Sequence, residues 1–430
     1  MNTMNSYEKI DVKEKFINQF NYIISHSPFY RNKFGESGIN INNNSNIEIE
    51  DLPFTDKIEL LDDQNNYPPY GSNLCVDYLN IQRIHRTSGT TNKPLIIALS
   101  REDIESIITV GSKCYNTAGL TNEHSVIHCL NYNMWMGGFT DHQSLEETGA
   151  TVIPFGVGNS KSLIDNIIAL GINAISSTPS YLDKLEQVLK VEFNIKPINL
   201  PLQLGLLGTE SGLQDPKYRE KLEETWGISA VNANYGVAEV LSIFGSECKE
   251  KNGLHFISEG KLYMELLDPK TKSILSVEEG AVGEMVLTNL DKKSQPLLRY
   301  KTGDMVKILS SGDCSCGLGT FQFEVIGRSD DMLVIKGLNL FPSQIKSLIS
   351  NHLNVLTGQF RIILDSPPPI ESLYLQIEYT KSCSIPEISV IKNNLKKQIK
   401  EIIFITPIIE MLEEGKIQRT SGKSNFIIKR

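Results

Sequence analysis

Apolar residues near the start of the chain recur at helical spacing. Val12, Phe16, Ile17, Phe20, Ile23 and Ile24 share one face, which predicts an amphipathic helix over Tyr7–Ser25. Asn42–Ser45 interrupts the pattern as an Asn-rich linker with nothing apolar to bury. The run Tyr78–Ile84 alternates and reads as a strand. From Glu102 to Ser177, helical stretches alternate with short apolar runs, Ser125–Leu130 and Ala150–Pro154, and a further run, Leu202–Leu207, leads into Gly208. Alternation of this kind predicts an α/β domain with mixed or parallel sheets and helices. No tandem repeat is visible.

Beyond Gly327 the texture changes. Met332–Ile335 reads as a strand, Ser343–Ser350 as a helix, and Gln359–Leu364 and Leu373–Tyr379 as strands. Pro386–Ile402 places Ile388, Ile391, Leu395 and Ile399 on one helical stripe. This βαββα order predicts a small α+β domain of roughly 100 residues. The expected division is a large domain over 1–329 and a small mobile domain over 330–430, with the boundary near Arg328–Asp331.

Composition narrows the function classes. The chain has 430 residues, enough for at least two cores, and 40% hydrophobic with 22% charged content, ordinary for a globular protein. A formal charge of −9 argues against a nucleic-acid groove, which needs a basic surface. Met1–Glu8 is polar without an apolar signal region, and no apolar run approaches the roughly 18 residues of a membrane span. Seven cysteines, an odd count, do not form a disulfide framework. A cytoplasmic enzyme or binding protein is expected, with no nucleic-acid or membrane partner.

The candidate chemistry starts at Arg83–Pro94, RIHRTSGTTNKP, a run of small and hydroxyl residues ending in a lysine. Small residues let backbone N–H groups approach a polyphosphate, and Lys93 adds charge. The Walker pattern is absent, and alone such a run is more often a solvated loop than a phosphate site. Further segments have the look of nucleotide chemistry: Gly208-Thr209-Glu210 after a strand, NANYGVAE over Asn232–Glu239, LRYKTGD over Leu298–Asp304, RSDDMLVIKGLNLFP over Arg328–Pro342, and RTSGK over Arg419–Lys423.

In this order the set resembles the AMP-forming, acyl-adenylating ligase superfamily, across almost the whole chain. Within it the chain is similar to the phenylacetate–CoA ligase branch, through SPFY (Ser27–Tyr30), LPFTDK (Leu52–Lys57), STPSY (Ser177–Tyr181), ECKEKNGLH (Glu247–His255) and the short C-terminal domain. The resemblance implies that a carboxylate attacks the α-phosphate of ATP, giving acyl-adenylate and pyrophosphate, after which a thiol or amine displaces AMP. It implies that Thr87, Ser88, Gly89, Thr90, Thr91 and Lys93 cradle the phosphates. Gly208, Thr209, Glu210, Asn234, Tyr235 and Gly236 would line the adenine side, Glu239 would hold Mg²⁺, and Asp304 and Arg328 would reach the nucleotide. Lys423 would catalyse adenylation, with Glu239 and Arg328 assisting, and Asp330 would be the hinge of the small domain. A C-terminal lysine is usually just solvated; the RTSGK motif and its place in the family order assign Lys423 to catalysis.

Three positions depart from the family pattern. Asn92 replaces the usual glycine, Ala238 the hydroxyl residue before Glu239, and Lys336 the arginine before Gly337. The acid would sit against Trp135, Gly137, Gly138, Tyr181 and Ala233, with Trp135 either a wall against a ring or a core residue and the glycines leaving space. Cys248, His255, Cys314 and Cys316 offer three thiolates and an imidazole, a set suited to tetrahedral Zn²⁺, although their spacing alone fits unconnected thiols equally well. Similar residues recur at these positions in branch members, so a structural zinc is expected.

The leading expectation is an ATP- and Mg²⁺-dependent ligase joining an aryl or arylalkyl carboxylic acid to coenzyme A. Alternatives are delivery to the phosphopantetheine of an acyl or peptidyl carrier protein, delivery to an amine, or a catalytically weakened nucleotide-binding scaffold. The oligomeric state is left open, a homodimer being compatible with the sequence.

Overall fold

The computed structural model describes residues 6–41, 47–87, 94–210, 212–258, 260–312, 314–335, 338–353, 355–364, 370, 372–417 and 426–429. The chain divides into two compact units. The first comprises Met1–Leu213, Lys221–Thr302 and Val306–Glu324; the second comprises Gln214–Glu220, Gly303–Met305 and Val325–Arg430.

A twelve-stranded mixed sheet dominates the fold. Five strands pair in parallel, in the spatial order Ser229–Val237, Leu204–Gly208, Ala174–Ser177, Ser125–His128, Thr151–Pro154. Helices Arg101–Thr117, Met136–Glu147, Ser160–Leu170, Pro179–Val188 and Pro216–Trp226 alternate with them along the chain. The expected parallel α/β arrangement is this half of the sheet. Leu204–Gly208 is buried at every position, as a strand covered on both faces must be. From Ser229–Val237 onward the pairs with Leu241–Ser246, Leu254–Phe256 and Gln322–Arg328 run antiparallel, so one long strand joins the two halves.

The N-terminal helix, Ser6–His26, buries Phe16, Phe20 and Ile23 against Tyr30, Phe34, Leu52 and Leu298. Ser27 caps the next helix, Pro28–Glu36, by accepting from Tyr30 N–H, and Pro28 occupies its first turn, where no N–H is needed. The reading of Tyr78–Ile84 as one strand is wrong. Asp77 accepts from Leu79 N–H and turns Tyr78–Asn80 into a 3₁₀ helix, and the strand begins only at Arg83.

In the second unit, Leu356–Leu364 and Tyr374–Tyr379 pair antiparallel, flanked in parallel by Ile427–Lys429 and Ile408–Glu413. Helices Pro342–Ser350 and Ile385–Ile403 pack on this sheet through Ile345, Leu348, Ile349, Leu395, Ile399 and Ile403. The expected βαββα order is present, with Leu338–Leu340, Ile408–Glu413 and Ile427–Lys429 as additional strands. Among the described residues no helix is long and apolar enough to cross a membrane.

Candidate functional site

Glu239 lies in the short turn between Ser229–Val237 and Leu241–Ser246. Its Oε1 stands 3.0 Å from Nζ of Lys57, with the Glu239 side chain 10% and Lys57 27% exposed. Lys292, itself buried, donates from Nζ to the Glu239 carbonyl; burial pushes this ammonium down to about 8, against the pull of Asp103 and Glu239.

Lys57 is delivered to Glu239 by a well-anchored segment. Thr55 N–H donates to the Arg299 carbonyl and Lys301 N–H to the Thr55 carbonyl, both at 2.9 Å. Asp56 caps helix Lys57–Asn66 by accepting from Ile58 and Glu59 N–H, and Glu59 returns the bond to Asp56 N–H. Arg299 stands behind this junction. It makes a two-bonded contact with buried Glu265 at 3.0 and 2.7 Å, donates to the Leu52 and Glu50 carbonyls, and lies over the Phe54 ring. The LPFTDK and LRYKTGD motifs are thus two sides of one clamp.

Thr87, at the start of the segment expected to bind phosphates, exchanges bonds with Leu95 at 3.0 Å through both backbone and Oγ1. Ser88, Gly89, Thr90, Thr91, Asn92 and Lys93 lie outside the described residues, as do Lys336, Gly337 and Lys423. His85 is a strand residue that faces the Met134 carbonyl.

Among the residues expected to face adenine, Gly208 ends its strand and Thr209 adopts a left-handed backbone, φ +62°. Glu210 accepts from Ser180 Oγ at 2.9 Å. The Tyr235 ring stands edge-on to Phe244 and Phe323. Gly236 is required by close approach, because a Cβ there would fall 1.7 Å from the Ser242 carbonyl oxygen. Asn234 turns inward. Its Nδ2 donates to Asp141 Oδ2 at 3.0 Å, and its Oδ1 fills the place a Cβ on Gly208 would take. Asn234 Oδ1 has no hydrogen-bond partner among the described residues, and the buried Tyr115 hydroxyl stands beside Asp141 and Asn234. Desolvation pushes the fully buried Asp141 carboxyl up to about 7, opposed by its bonds from Asn234 and its other neighbours.

Among the residues expected to face the acid, Trp135 precedes helix Met136–Glu147 and is 37% exposed, so it is not a core residue. Gly137 has only ordinary contacts. Gly138 does not leave space as expected: a Cβ there would meet the Asn131 carbonyl oxygen at 2.2 Å, so the glycine serves a close backbone approach. His128 fastens this helix to the sheet, Nε2 donating to the Gly138 carbonyl and Nδ1 accepting from Ser176 Oγ, each at 3.0 Å. Burial pushes His128 down to about 4, which keeps it neutral. Tyr181 is half-buried with its hydroxyl 3.4 Å from Ser160 Oγ, and Ala233 is fully buried.

In the second unit Arg328 donates to Asp304 Oδ1 at 2.9 Å and to Asp330 Oδ2 at 3.3 Å. Burial alone would lower the Arg328 pKa, but the two carboxylates raise it. Gly303, at φ +75°, admits the guanidinium, whose Nη2 would lie 2.6 Å from a Cβ there.

Cys248, His255, Cys314 and Cys316 converge, one ligand atom from each lying within 4.8 Å of all the others. Cys248 Sγ and Cys314 Sγ are 3.8 Å apart, the separation of two thiolates sharing a tetrahedral Zn²⁺ at about 2.3 Å. Cys316 Sγ lies 3.5 Å from His255 Nε2, while Nδ1 meets Thr320 Oγ1 at 3.2 Å, which leaves Nε2 as the ligand atom. The residues fit zinc.

Lys57, Asp141, Ser180 and Lys292 were not singled out by sequence reasoning. Lys57 sits in the quoted LPFTDK motif, a signal that could have drawn attention to it. Ser180 likewise sits in the quoted STPSY motif, whereas Asp141 and Lys292 have no spacing that marks them.

A model of the AMP-binding enzyme C-terminal domain matches residues 337–430. Phenylacetate–coenzyme A ligase of Pseudomonas putida is 30% identical over 407 residues, covering 92% of this chain and 88% of its own. The phenylacetate–coenzyme A ligase of Escherichia coli (strain K12) is 28% identical over 402 residues, covering 92% and 89%. A crystal structure of 2-hydroxyisobutyryl-CoA ligase, in the postadenylation state with 2-HIB-AMP, aligns with 100% of this chain and 91% of its own at TM-score 0.88 and 24% identity, a likeness of fold. The chain belongs to the AMP-forming ligase superfamily, in its phenylacetate–CoA ligase-like branch.

Proposed function

We propose that this protein is an ATP-dependent, AMP-forming ligase that activates a carboxylic acid and transfers the acyl group to coenzyme A. The observation that carries this reading is the kinship to phenylacetate–coenzyme A ligases over nine-tenths of the chain. That kinship favours coenzyme A over a carrier protein or an amine as acceptor, and gives the weakened-scaffold alternative no support. An aryl or arylalkyl acid is the expected substrate class, and a reaction fed by ATP and coenzyme A suits a cytoplasmic location.

In the first half-reaction the acid's carboxylate oxygen bonds to the α-phosphorus as the bond to the bridging oxygen of pyrophosphate breaks. Two anions must approach, so donors and cations are needed where charge develops. Thr87–Thr91 and Lys93 would bind the phosphates and Lys423 the reacting oxygens. Asp304 would accept from the ribose hydroxyls, for which Arg328 must share it. In the second half-reaction the thiol sulfur attacks the acyl carbon and AMP leaves. Asp330 would be the hinge between the two.

Glu239 fits Mg²⁺: it offers a hard carboxylate oxygen, and the Lys57 ammonium already stands at that oxygen as a cation. Mg²⁺, when bound with ATP, supplies charge neutralisation at the phosphates. Zinc on Cys248, His255, Cys314 and Cys316 would be structural, since four protein ligands leave no open position.

The test is acid-dependent ATP–pyrophosphate exchange over a panel of aryl and aliphatic acids, with Lys423→Ala alongside. Exchange stimulated by an aryl acid and lowered on the order of 10²–10³-fold in the variant is expected. No exchange with any acid would refute the adenylation reading, and near-normal exchange in the variant would refute the role of Lys423.

A further inference from the structure

The carboxylate assigned to Mg²⁺ already has a cation. Lys57 Nζ lies 3.0 Å from Glu239 Oε1, and both side chains are largely withdrawn from solvent. This is not a wandering surface lysine. Lys57 opens helix Lys57–Asn66, whose start is fixed by the Asp56–Glu59 capping box and by Thr55, bonded on both sides to Arg299 and Lys301. The Glu239 backbone is held separately, by Lys292. A pocket lined by Gln64, Leu95, Gln295 and Glu239 lies on the Glu239 side of the pair, and Leu95 accepts from Thr87 N–H across the ends of the segment read as the phosphate loop.

We propose that Lys57 is a placeholder cation, which neutralises Glu239 in the empty enzyme and makes divalent-metal binding there depend on the nucleotide. The proposal rests on the ligase reading. Its basis is charge. Lys57 and Glu239 together are neutral, so a divalent ion arriving alone would meet a +1 charge within a few ångströms and little net attraction. A metal arriving with a nucleoside triphosphate carries net negative charge, and the same ammonium then attracts it. As Glu239 turns to the metal, Lys57 is released toward the phosphates. By linkage, whatever the nucleotide gains from the metal the metal gains from the nucleotide, and Lys57 enlarges that coupling by suppressing the metal-only state.

The experiment is Mn²⁺ binding followed by electron paramagnetic resonance, with and without ATP, on the full-length protein. Lys57→Met, Lys57→Gln and Lys57→Arg are compared with Glu239→Gln, and the last defines background from other acidic sites. Loss of Lys57 should tighten nucleotide-free Mn²⁺ binding at Glu239 by about tenfold or more, and shrink the enhancement that ATP confers. Lys57→Arg should behave as the parent. The gain should vanish in the double variant Lys57→Met/Glu239→Gln. Should the Met variant be too unstable to measure, the Gln variant carries the same expectation. Nucleotide-free binding that stays at background in both neutral variants would overturn the proposal. If Glu239→Gln itself left Mn²⁺–ATP binding at the parent level, it is the Mg²⁺ assignment that would fail.

Discussion

Two buried polar clusters in the first unit differ in how completely their groups are paired. Around Arg299, the guanidinium meets both Glu265 oxygens, the Leu52 and Glu50 carbonyls and the Phe54 ring. Around Asp141, a fully buried carboxyl accepts from Asn234 Nδ2 at 3.0 Å and from Thr140 Oγ1 at 3.4 Å, and Asn234 Oδ1 has no partner among the described residues. The first arrangement repays the cost of burying charge with geometry, and its role is to hold the two motif segments together. The second offsets less of that cost, beside Gly208 and within helix Met136–Glu147. Burial identifies neither as functional; the difference is that Arg299 and Glu265 compensate one another's charge, whereas the Asp141 partners Asn234 and Thr140 are neutral.

Breaking the paired cluster should have the largest effect. Glu265→Ala strands a buried guanidinium and should lower stability by about 3–5 kcal/mol, read by denaturant unfolding. A loss below about 1 kcal/mol would show that Arg299 is solvated in the folded chain.

The incompletely paired cluster should respond in the opposite direction. The Asp141 pKa is about 7 in the folded chain against 3.8 for an ordinary aspartate. The folded state therefore keeps a proton that the unfolded chain has released, and stability falls as pH rises from about 4 to about 7. Asp141→Asn removes that loss while keeping an acceptor for Asn234 Nδ2. Relative to the parent, the variant should gain on the order of 2 kcal/mol between pH 5 and pH 8. A difference that does not change with pH would mean that Asp141 stays ionised throughout.

The smallest effect tests pairing at the cysteine cluster. Protein prepared without added metal should contain about one zinc per chain. Thr320→Val removes the partner of His255 Nδ1 and should weaken zinc about 10–100-fold, measured by chelator competition. Absence of zinc, with melting unchanged in Cys316→Ser, would leave four thiol and imidazole groups without a metal.

Elements whose apolar residues form an uninterrupted run or a sustained period were legible in the sequence. The helix read over Pro386–Ile402 spans Ile385–Ile403, and the run Ala150–Pro154 is the strand Thr151–Pro154. Tyr78–Ile84 misled because the Asp77 cap outweighs a weak alternation. Ile408–Glu413 and Ile427–Lys429 are short strands stabilised by parallel neighbours distant in the chain, which no local period reveals. The site divides in the same way. Motif residues such as Glu239, Asp304 and Arg328 could be named as candidates from the sequence because the family resemblance carries them position by position. Their partners were not, because Lys57 meets Glu239, and Asp141 meets Asn234, only through tertiary packing.

The central claim is the reaction, and product analysis tests it most directly. Purified protein incubated with ATP, Mg²⁺, coenzyme A and phenylacetate, or the best acid of an aryl panel, should form AMP and the acyl-CoA thioester in equal amounts, by mass detection. ADP as the nucleotide product, or AMP formed without any thioester across the panel, would contradict it.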